Sequence, residues 1–186
     1  MAKLIRAVAW RRLERPYTRK SKYRKYNFVR SVPNSKIVKF NMGNLKTEFP
    51  VKLLLRTKQD IQLRHNCLES ARQSANRYLE KNLGRINYQF IVRTYPHHIL
   101  RNNPLAAGAG ADRMSTGMSR SFGKAVGVAA RVKEDQAVFE VNVRKQHIKQ
   151  AKDALHRAKN KLPVTCRIEV IEQEEQPAKT APRKDD

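Results

Sequence analysis

The sequence predicts an α+β sandwich, in which two helices pack on a mixed or antiparallel sheet. Two amphipathic helical segments lie far apart in the 186-residue chain, and short alternating segments typical of strands flank each of them. Their order is ββαβ, a long loop and a second ββαβ, which gives two layers around one core. About 40% of the residues are hydrophobic, enough to form the core of one domain.

The first ββαβ unit has its strands predicted at residues 36–40, 48–56 and 87–94, with a helix at 59–83. We expect Thr57 to cap this helix and Gly84 to end it. The apolar face of the helix consists of Ile61, Leu68, Ala71, Ala75 and Leu79, whereas Gln62 is expected on its polar, solvent-exposed face.

The second unit has strands predicted at residues 126–133, 136–144 and 164–171, and a helix at 145–161. This helix repeats apolar residues at 3-4-3-4 spacing and is closed by Pro163; they are Ile148, Ala151, Leu155, Ala158 and Leu162. Residues 31–171 therefore form one expected domain. The acidic segment 172–186 is low in apolar residues and is expected to be disordered.

Charge is the strongest functional observation in the sequence. Forty Lys and Arg residues oppose sixteen Asp and Glu residues, giving a net charge of +24. Such self-repulsion indicates a polyanionic partner, with nucleic acid first and an anionic membrane second. No run of eighteen apolar residues occurs, so no membrane-spanning segment is predicted.

The N-terminal arm, residues 1–30, alternates basic residues with aromatic residues and contains one acidic residue, Glu14. Cations neutralise phosphates and flat rings stack on unpaired bases, so this pattern predicts an arm that orders on RNA. A disordered basic tail and a mitochondrial transit peptide are the alternatives. The residues predicted to bind RNA are Arg11, Arg12, Arg15, Tyr17, Arg19, Lys20, Lys22, Arg24, Lys25, Arg30 and Lys36.

A glycine-rich basic loop at about 102–125 separates the two units. Its glycines permit close backbone approach, and its Lys and Arg side chains suit contacts with phosphates. Its methionines can adapt their shape to nucleobases or sugars. We expect a loop that is mobile alone and ordered against RNA. The residues predicted to contact RNA here are Arg101, Gly110, Asp112, Arg113, Met114, Gly117, Met118, Arg120 and Lys124.

No motif for catalysis, a cofactor or a metal is present. The GAGAD stretch lacks the Lys and Ser/Thr of a phosphate-binding loop, and Arg113 breaks a dinucleotide fingerprint. Adjacent His97 and His98 on a strand would point to opposite faces, so one packed and one RNA-facing histidine are expected. Cys67 and Cys166 are predicted to be buried free thiols. The sequence thus predicts a protein that is not an enzyme and has no cofactor.

Several segments resemble the universal large-subunit ribosomal protein family that is numbered sixteen in bacteria, in its archaeal and eukaryotic branch called ten-e. The segments are ERPYTR (14–19), VPNSKIVKFNMGN (32–44), YPHHILR (95–101) and AGADRMSTGMSRSFGKAVGVAARV (109–132). Their order and spacing match over roughly residues 14–171. The resemblance implies an α/β-hammerhead-type sandwich in a cytoplasmic ribosome.

The resemblance also implies what the protein contacts. The arm residues would bind ribosomal RNA near the A-site tRNA and the peptidyl transferase region, and the loop around 101–123 would approach tRNA. Its partners would be large-subunit rRNA, A-site and P-site tRNA and neighbouring ribosomal proteins, with neither a membrane nor a small-molecule substrate. A free RNA-binding or RNA-chaperone module outside the ribosome is the alternative.

Overall fold

A computed structural model describes most of the chain, namely residues 6–13, 22–26, 29, 31–103, 108 and 123–172. In chain order the elements are β1 Asn41–Gly43, β2 Val51–Thr57, β3 Ile61–Arg64, α1 His65–Leu83, β4 Tyr88–Val92, β5 His98–Asn102, β6 Lys124–Val132, β7 Ala137–Val143, α2 Ile148–Lys159 and β8 Cys166–Glu172. Short 3-10 turns cover Val8–Trp10, Arg24–Tyr26 and Lys145–His147. The predicted α+β class is confirmed.

The strands form two sheets, and every pairing among the described residues is antiparallel. The larger sheet has the order β1-β4-β7-β2-β8, and the smaller has the order β3-β6-β5. The β6–β7 connection carries the chain from one sheet to the other through a turn in which Asp135 adopts a positive φ of 64°.

The core lies between the two helices and the sheets. Alanines on both helices are fully buried, which lets the two backbones approach closely; they are Ala71, Ala75, Ala151, Ala154 and Ala158. Larger side chains from the five-stranded sheet fill the remaining space, and the rings of Phe90 and Phe139 lie 5.6 Å apart. The small residues on the helices thus complement the bulky residues on the strands.

The predicted start of the first helix is wrong. Residues 61–64 form β3 and pair with β6, and the helix begins only at His65. Gln62 is buried in this strand rather than exposed on a helix. Thr57 does not cap the helix, because its hydroxyl donates a 2.9 Å hydrogen bond to the Lys133 carbonyl. Pairing with β6 therefore prevails over the helical apolar spacing of Ile61.

The strand predicted at residues 36–40 is also wrong. Regular pairing starts at Asn41, and Val38 is 81% exposed. Only the Phe40 carbonyl accepts a hydrogen bond from a strand, the 2.8 Å bond from Val92 N–H. The other predicted strands and the second helix agree with the observed elements to within a few residues at each end.

Candidate RNA-binding surface

The two sheets differ sharply in charge. The strands β3, β6 and β5 contain no Asp or Glu, and their basic residues are Arg64, Arg101, Lys124 and Arg131. We call this three-stranded sheet the basic sheet. The five-stranded sheet carries three basic and three acidic residues. The excess positive charge among the strands is therefore concentrated on the basic sheet.

Ion pairs compensate most of the charges of the five-stranded sheet. The Glu140 carboxylate, only 2% exposed, forms an ion pair with Arg93 and also lies 3.7 Å from Lys52 Nζ. Arg56 pairs with Glu169 across neighbouring strands. A polyanion would have to compete with these carboxylates, so this sheet is the poorer anion-binding surface.

The N-terminal segment docks on the edge of the basic sheet. The Gln62 backbone N–H donates a 2.9 Å hydrogen bond to the Arg11 carbonyl, and the Gln62 side chain donates a 2.7 Å bond to the Arg12 carbonyl. These contacts use only backbone atoms of the two arginines, and both side chains remain exposed. Their guanidinium groups are thus available for a ligand on this side of the protein.

Trp10 links the N-terminal segment to two strands of the basic sheet. Its Nε1–H donates a 3.2 Å hydrogen bond to the Arg101 carbonyl in β5. The Arg64 guanidinium lies 5.2 Å from the centroid of the Trp10 ring, a cation–π distance. Among the described residues, Trp10 therefore connects the start of the predicted arm to the base of the predicted loop.

The two ends of the glycine-rich loop are held together. Asn102 in β5 pairs with Lys124 in β6 at the end of the ladder. Gly123 has a φ of +72°, and a Cβ there would lie 2.6 Å from the carbonyl carbon and oxygen of Asn102. Only glycine permits this close approach with this backbone conformation.

The surroundings of two histidines, one in the basic sheet and one at the start of α1, lower their pKa values. Burial lowers the pKa of His65, and the nearby charges of Lys36 and Arg64 lower it further. Burial likewise lowers the pKa of His98, helped by Arg131, His97 and Arg101. Positive charge at neutral pH therefore comes from Lys and Arg, not from these histidines.

The predicted histidine pair is separated as the strand geometry suggests. His97 is exposed and donates a 3.2 Å hydrogen bond from Nδ1 to the Tyr95 carbonyl, whereas His98 begins β5 and is half-buried. The RNA-facing role of one of them stays a prediction.

Six of the residues predicted in or near the arm fall within the described part. Besides Arg11 and Arg12, Lys36 is exposed and close enough to His65 to influence its pKa. Lys22 lies 5.2 Å from the Tyr23 ring, and Arg24 and Lys25 occupy an exposed turn. The arm then returns to the basic sheet, where Val29 is buried against Ile99 and Val128.

Of the residues predicted in the loop, Arg101 and Lys124 lie on adjacent strands at the loop base. The remaining predicted residues lie outside the described part of the chain; they are Arg15, Tyr17, Arg19, Lys20, Arg30, Gly110, Asp112, Arg113, Met114, Gly117, Met118 and Arg120.

The structure adds four residues that the sequence did not single out for this surface: Trp10, Gln62, Arg64 and Arg131. The alternation of Ile61 and Leu63 with polar neighbours in IQLR was the available signal for β3. It would have placed Gln62 and Arg64 on a strand beside the arm.

Both cysteines are free thiols, as predicted, but only Cys166 is fully buried, whereas Cys67 is partly exposed. Burial raises the pKa of the Cys67 thiol to about 11 and also raises the pKa of Cys166. No group of three or more His, Cys, Asp or Glu side chains in the described ranges is arranged to hold a metal ion. Within the same ranges, no helix is long and apolar enough to cross a membrane.

Comparison with known proteins gives consistent matches over most of the chain. The family described as ribosomal protein L16p/L10e matches residues 16–169. A "large ribosomal subunit protein uL16" of Methanococcus maripaludis (strain C7) is 49% identical over 153 residues, which cover 82% of this chain and 88% of that protein. The protein of the same name from Methanosphaerula palustris is 50% identical over 153 residues, with the same coverage. That from Methanocella arvoryzae is 49% identical over 148 residues, covering 80% and 86%.

Proposed function

This chain belongs to the family of ribosomal protein L16p/L10e, and from that premise we propose that its basic sheet and N-terminal arm bind ribosomal RNA near the A-site tRNA and the peptidyl transferase region. In this position the protein would help to place tRNA during translation. The glycine-rich loop would supply the contacts on the tRNA side.

Family membership establishes the general role. The chain is a constituent of the large subunit of the cytoplasmic ribosome, and its partners are ribosomal RNA and neighbouring ribosomal proteins. The family consists of structural ribosomal proteins, so the prediction that the chain is not an enzyme is confirmed.

The charge contrast between the two sheets carries the proposal for the basic sheet. Four cations on three short strands, with no carboxylate among them, produce a field that attracts phosphates. The docked backbone of residues 10–12 adds Arg11 and Arg12 to the same side. RNA binding would release counterions from each neutralised phosphate, which is the main source of affinity for such a surface.

The geometry of the loop base supports the proposed tRNA contact. Nineteen residues, 104–122, connect Asn103 to Gly123, whose backbones adjoin at the base. At roughly 3.3 Å per residue, a loop with adjoining ends can extend up to about 30 Å from the sheet. Such a reach allows one protein to bind rRNA at the sheet and tRNA at the loop tip, where Arg113 and Arg120 are the proposed contacts.

The rRNA contact can be tested by the salt dependence of binding. The full-length chain would be bound to a large-subunit rRNA transcript between 50 and 200 mM KCl. An Arg11→Gln/Arg12→Gln/Lys124→Gln variant should lower the log–log salt slope by about two to three, because each lost phosphate contact contributes roughly 0.7 to 0.9. The matched control removes three exposed cations elsewhere, in Lys46→Gln/Lys58→Gln/Lys145→Gln.

The control should keep a slope close to that of the wild type. If both triple variants lower the slope equally, net charge rather than the basic sheet governs binding. If wild-type binding shows no salt dependence, the proposed phosphate contacts are wrong altogether.

A further inference from the structure

A second basic surface, which is concave, lies between α1 and α2. It is an open groove of about 760 Å³, and the cations that line it are Arg77, Lys81, Arg157 and Lys161. Its remaining lining consists of Tyr78 and neutral side chains of the Ser, Gln and Asn types, which can donate hydrogen bonds. We call this surface the helix groove.

No carboxylate lines the helix groove. The two helices together carry only three acids, and each already has a partner: Glu69 with Arg72, Glu80 with Arg85, and Asp153 with the Tyr78 hydroxyl. Within the described ranges, none of the four groove cations forms an ion pair with any of these acids. The groove therefore presents uncompensated positive charge together with hydrogen-bond donors.

Part of the groove is held in place before any ligand arrives. The Arg157 guanidinium lies 4.2 Å from the centroid of the Tyr78 ring, and the Tyr78 hydroxyl donates a 3.2 Å hydrogen bond to Asp153. Arg77 and Lys81 are four residues apart on one face of α1, so their Cβ atoms are about 5–6 Å apart. A rigid guanidinium beside two neighbouring cations suits several anionic groups in a row rather than a single ion.

Helix dipoles explain only part of this arrangement. Lys81 and Arg157 lie in the last turns of their helices, where cations are favourable without a ligand. That effect falls off within one turn and gives no reason for Arg77, which lies a turn earlier. Nor does it give a reason for the concave shape and the neutral donors between the cations.

The helix groove is well separated from the basic sheet. Arg77 and Lys81 follow His65, the first residue of α1, by twelve and sixteen positions. At 1.5 Å per residue they lie about 18–24 Å along the helix from its start beside the basic sheet. One RNA strand crossing the basic sheet would not need to enter the groove, so the groove is a separate contact.

We propose that the helix groove binds the phosphodiester backbone of a second rRNA segment, so that the protein holds two parts of the rRNA together. The proposal rests on the proposed function, because the basic sheet holds the first segment. Simultaneous binding at both surfaces makes the second contact intramolecular and raises the affinity of the whole protein for rRNA.

The experiment compares two variants with equal charge change. Arg77→Gln/Lys81→Gln alters the groove and leaves the Arg157–Tyr78 contact in place. Lys149→Gln/Lys152→Gln removes two exposed cations of α2 outside the groove. Binding of each full-length protein to the large-subunit rRNA transcript would be measured against salt, and hydroxyl-radical footprints of the transcript would be recorded.

The groove variant should lower the log–log salt slope by about one to two and lose one protected rRNA segment while a second segment stays protected. The control should retain the slope and both segments. A groove variant with the wild-type footprint overturns the proposal, and if that variant also fails to join large subunits, the groove binds a neighbouring protein.

Failure of the proposed function would look different from failure of the groove. If the proposed function is wrong, the wild-type protein itself would protect no rRNA segment, and all variants would behave alike. Equal losses in the groove variant and its control would assign the effect to net charge and would also overturn the proposal. If Lys81 served only the helix dipole, the groove variant would lower the unfolding midpoint and leave the footprint unchanged.

Discussion

Single residues beside the basic sheet set the pH dependence of folding. Burial and neighbouring cations lower the pKa of His65 and His98 in the folded chain below 6.5. The unfolded chain therefore takes up protons first as the pH falls, which favours unfolding. These two groups should therefore lower the free energy of unfolding as the pH falls through about 6.5, the ordinary pKa of histidine in the unfolded chain.

Urea unfolding at pH 7 and pH 5 would measure this effect. The His65→Asn/His98→Asn variant should lose less stability between the two pH values than the wild type. The control, His156→Asn, replaces an exposed histidine of α2 away from the basic sheet and should lose as much stability between the two pH values as the wild type. Equal unfolding free energies of the wild type at pH 5 and 7 would contradict the expectation.

The contact between Trp10 and Arg101 could not be predicted from the local sequence. The hydrogen bond from Trp10 joins residues 91 positions apart, and nothing local in the N-terminal segment specifies its acceptor, Arg101. The composition of the arm predicted an RNA-binding surface that includes Arg11 and Arg12, and both side chains are exposed in the structure. Their proximity to the base of the loop depends on tertiary pairing and could be seen only in the structure.

At the scale of elements, the sequence pattern predicted α2 correctly, whereas its weaker signal for β3 was outweighed by the apolar spacing of the following helix. The 3-4-3-4 apolar spacing of α2 spans more than three turns, so it distinguishes a helix from a strand. β3 has only four residues, and Ile61 also fits the apolar face of the following helix. Its strand conformation is fixed by pairing with β6, nearly seventy positions away, and a local pattern cannot reveal such a partner.

The predicted core face of α2 allows a direct test. Leu155 has no exposed surface and packs among both helices and the five-stranded sheet. Leu155→Ala should lower the free energy of unfolding by about 2–5 kcal/mol, because it removes buried methyl groups and leaves a cavity. Ile86→Ala is the control, since Ile86 is 74% exposed and should change stability by less than about 0.5 kcal/mol. Similar values for both variants in urea unfolding would show that α2 does not share the core.

At the scale of the whole molecule, the two proposed RNA surfaces and the loop point to a protein with three separate contacts. The five-stranded sheet carries equal numbers of basic and acidic residues, whereas the strands of the basic sheet carry no acid and no carboxylate lines the helix groove. Net charge predicted a nucleic-acid partner from the sequence. It did not predict this division, because the groove combines helices whose facing residues lie about eighty positions apart.

The proposed tRNA contact concerns the whole molecule, because the loop would have to reach tRNA while the basic sheet binds rRNA. An iron chelate attached at a cysteine in the loop would generate hydroxyl radicals at that point. The native thiols favour selective labelling, because burial raises the pKa of Cys67 to about 11 and also raises that of Cys166. Ser115→Cys introduces a site of similar size within the loop, and Lys46→Cys introduces one in the exposed β1–β2 connection.

Large subunits carrying the labelled Ser115→Cys variant should cleave A-site tRNA, because the loop would extend from the basic sheet toward it. Subunits with the labelled Lys46→Cys variant should cleave rRNA alone. If both variants cleave rRNA and neither cleaves tRNA, the protein binds ribosomal RNA without approaching tRNA. The role in tRNA placement would then be wrong. The rRNA contacts of the basic sheet and the helix groove would be unaffected by this result, because separate binding and footprinting experiments test them.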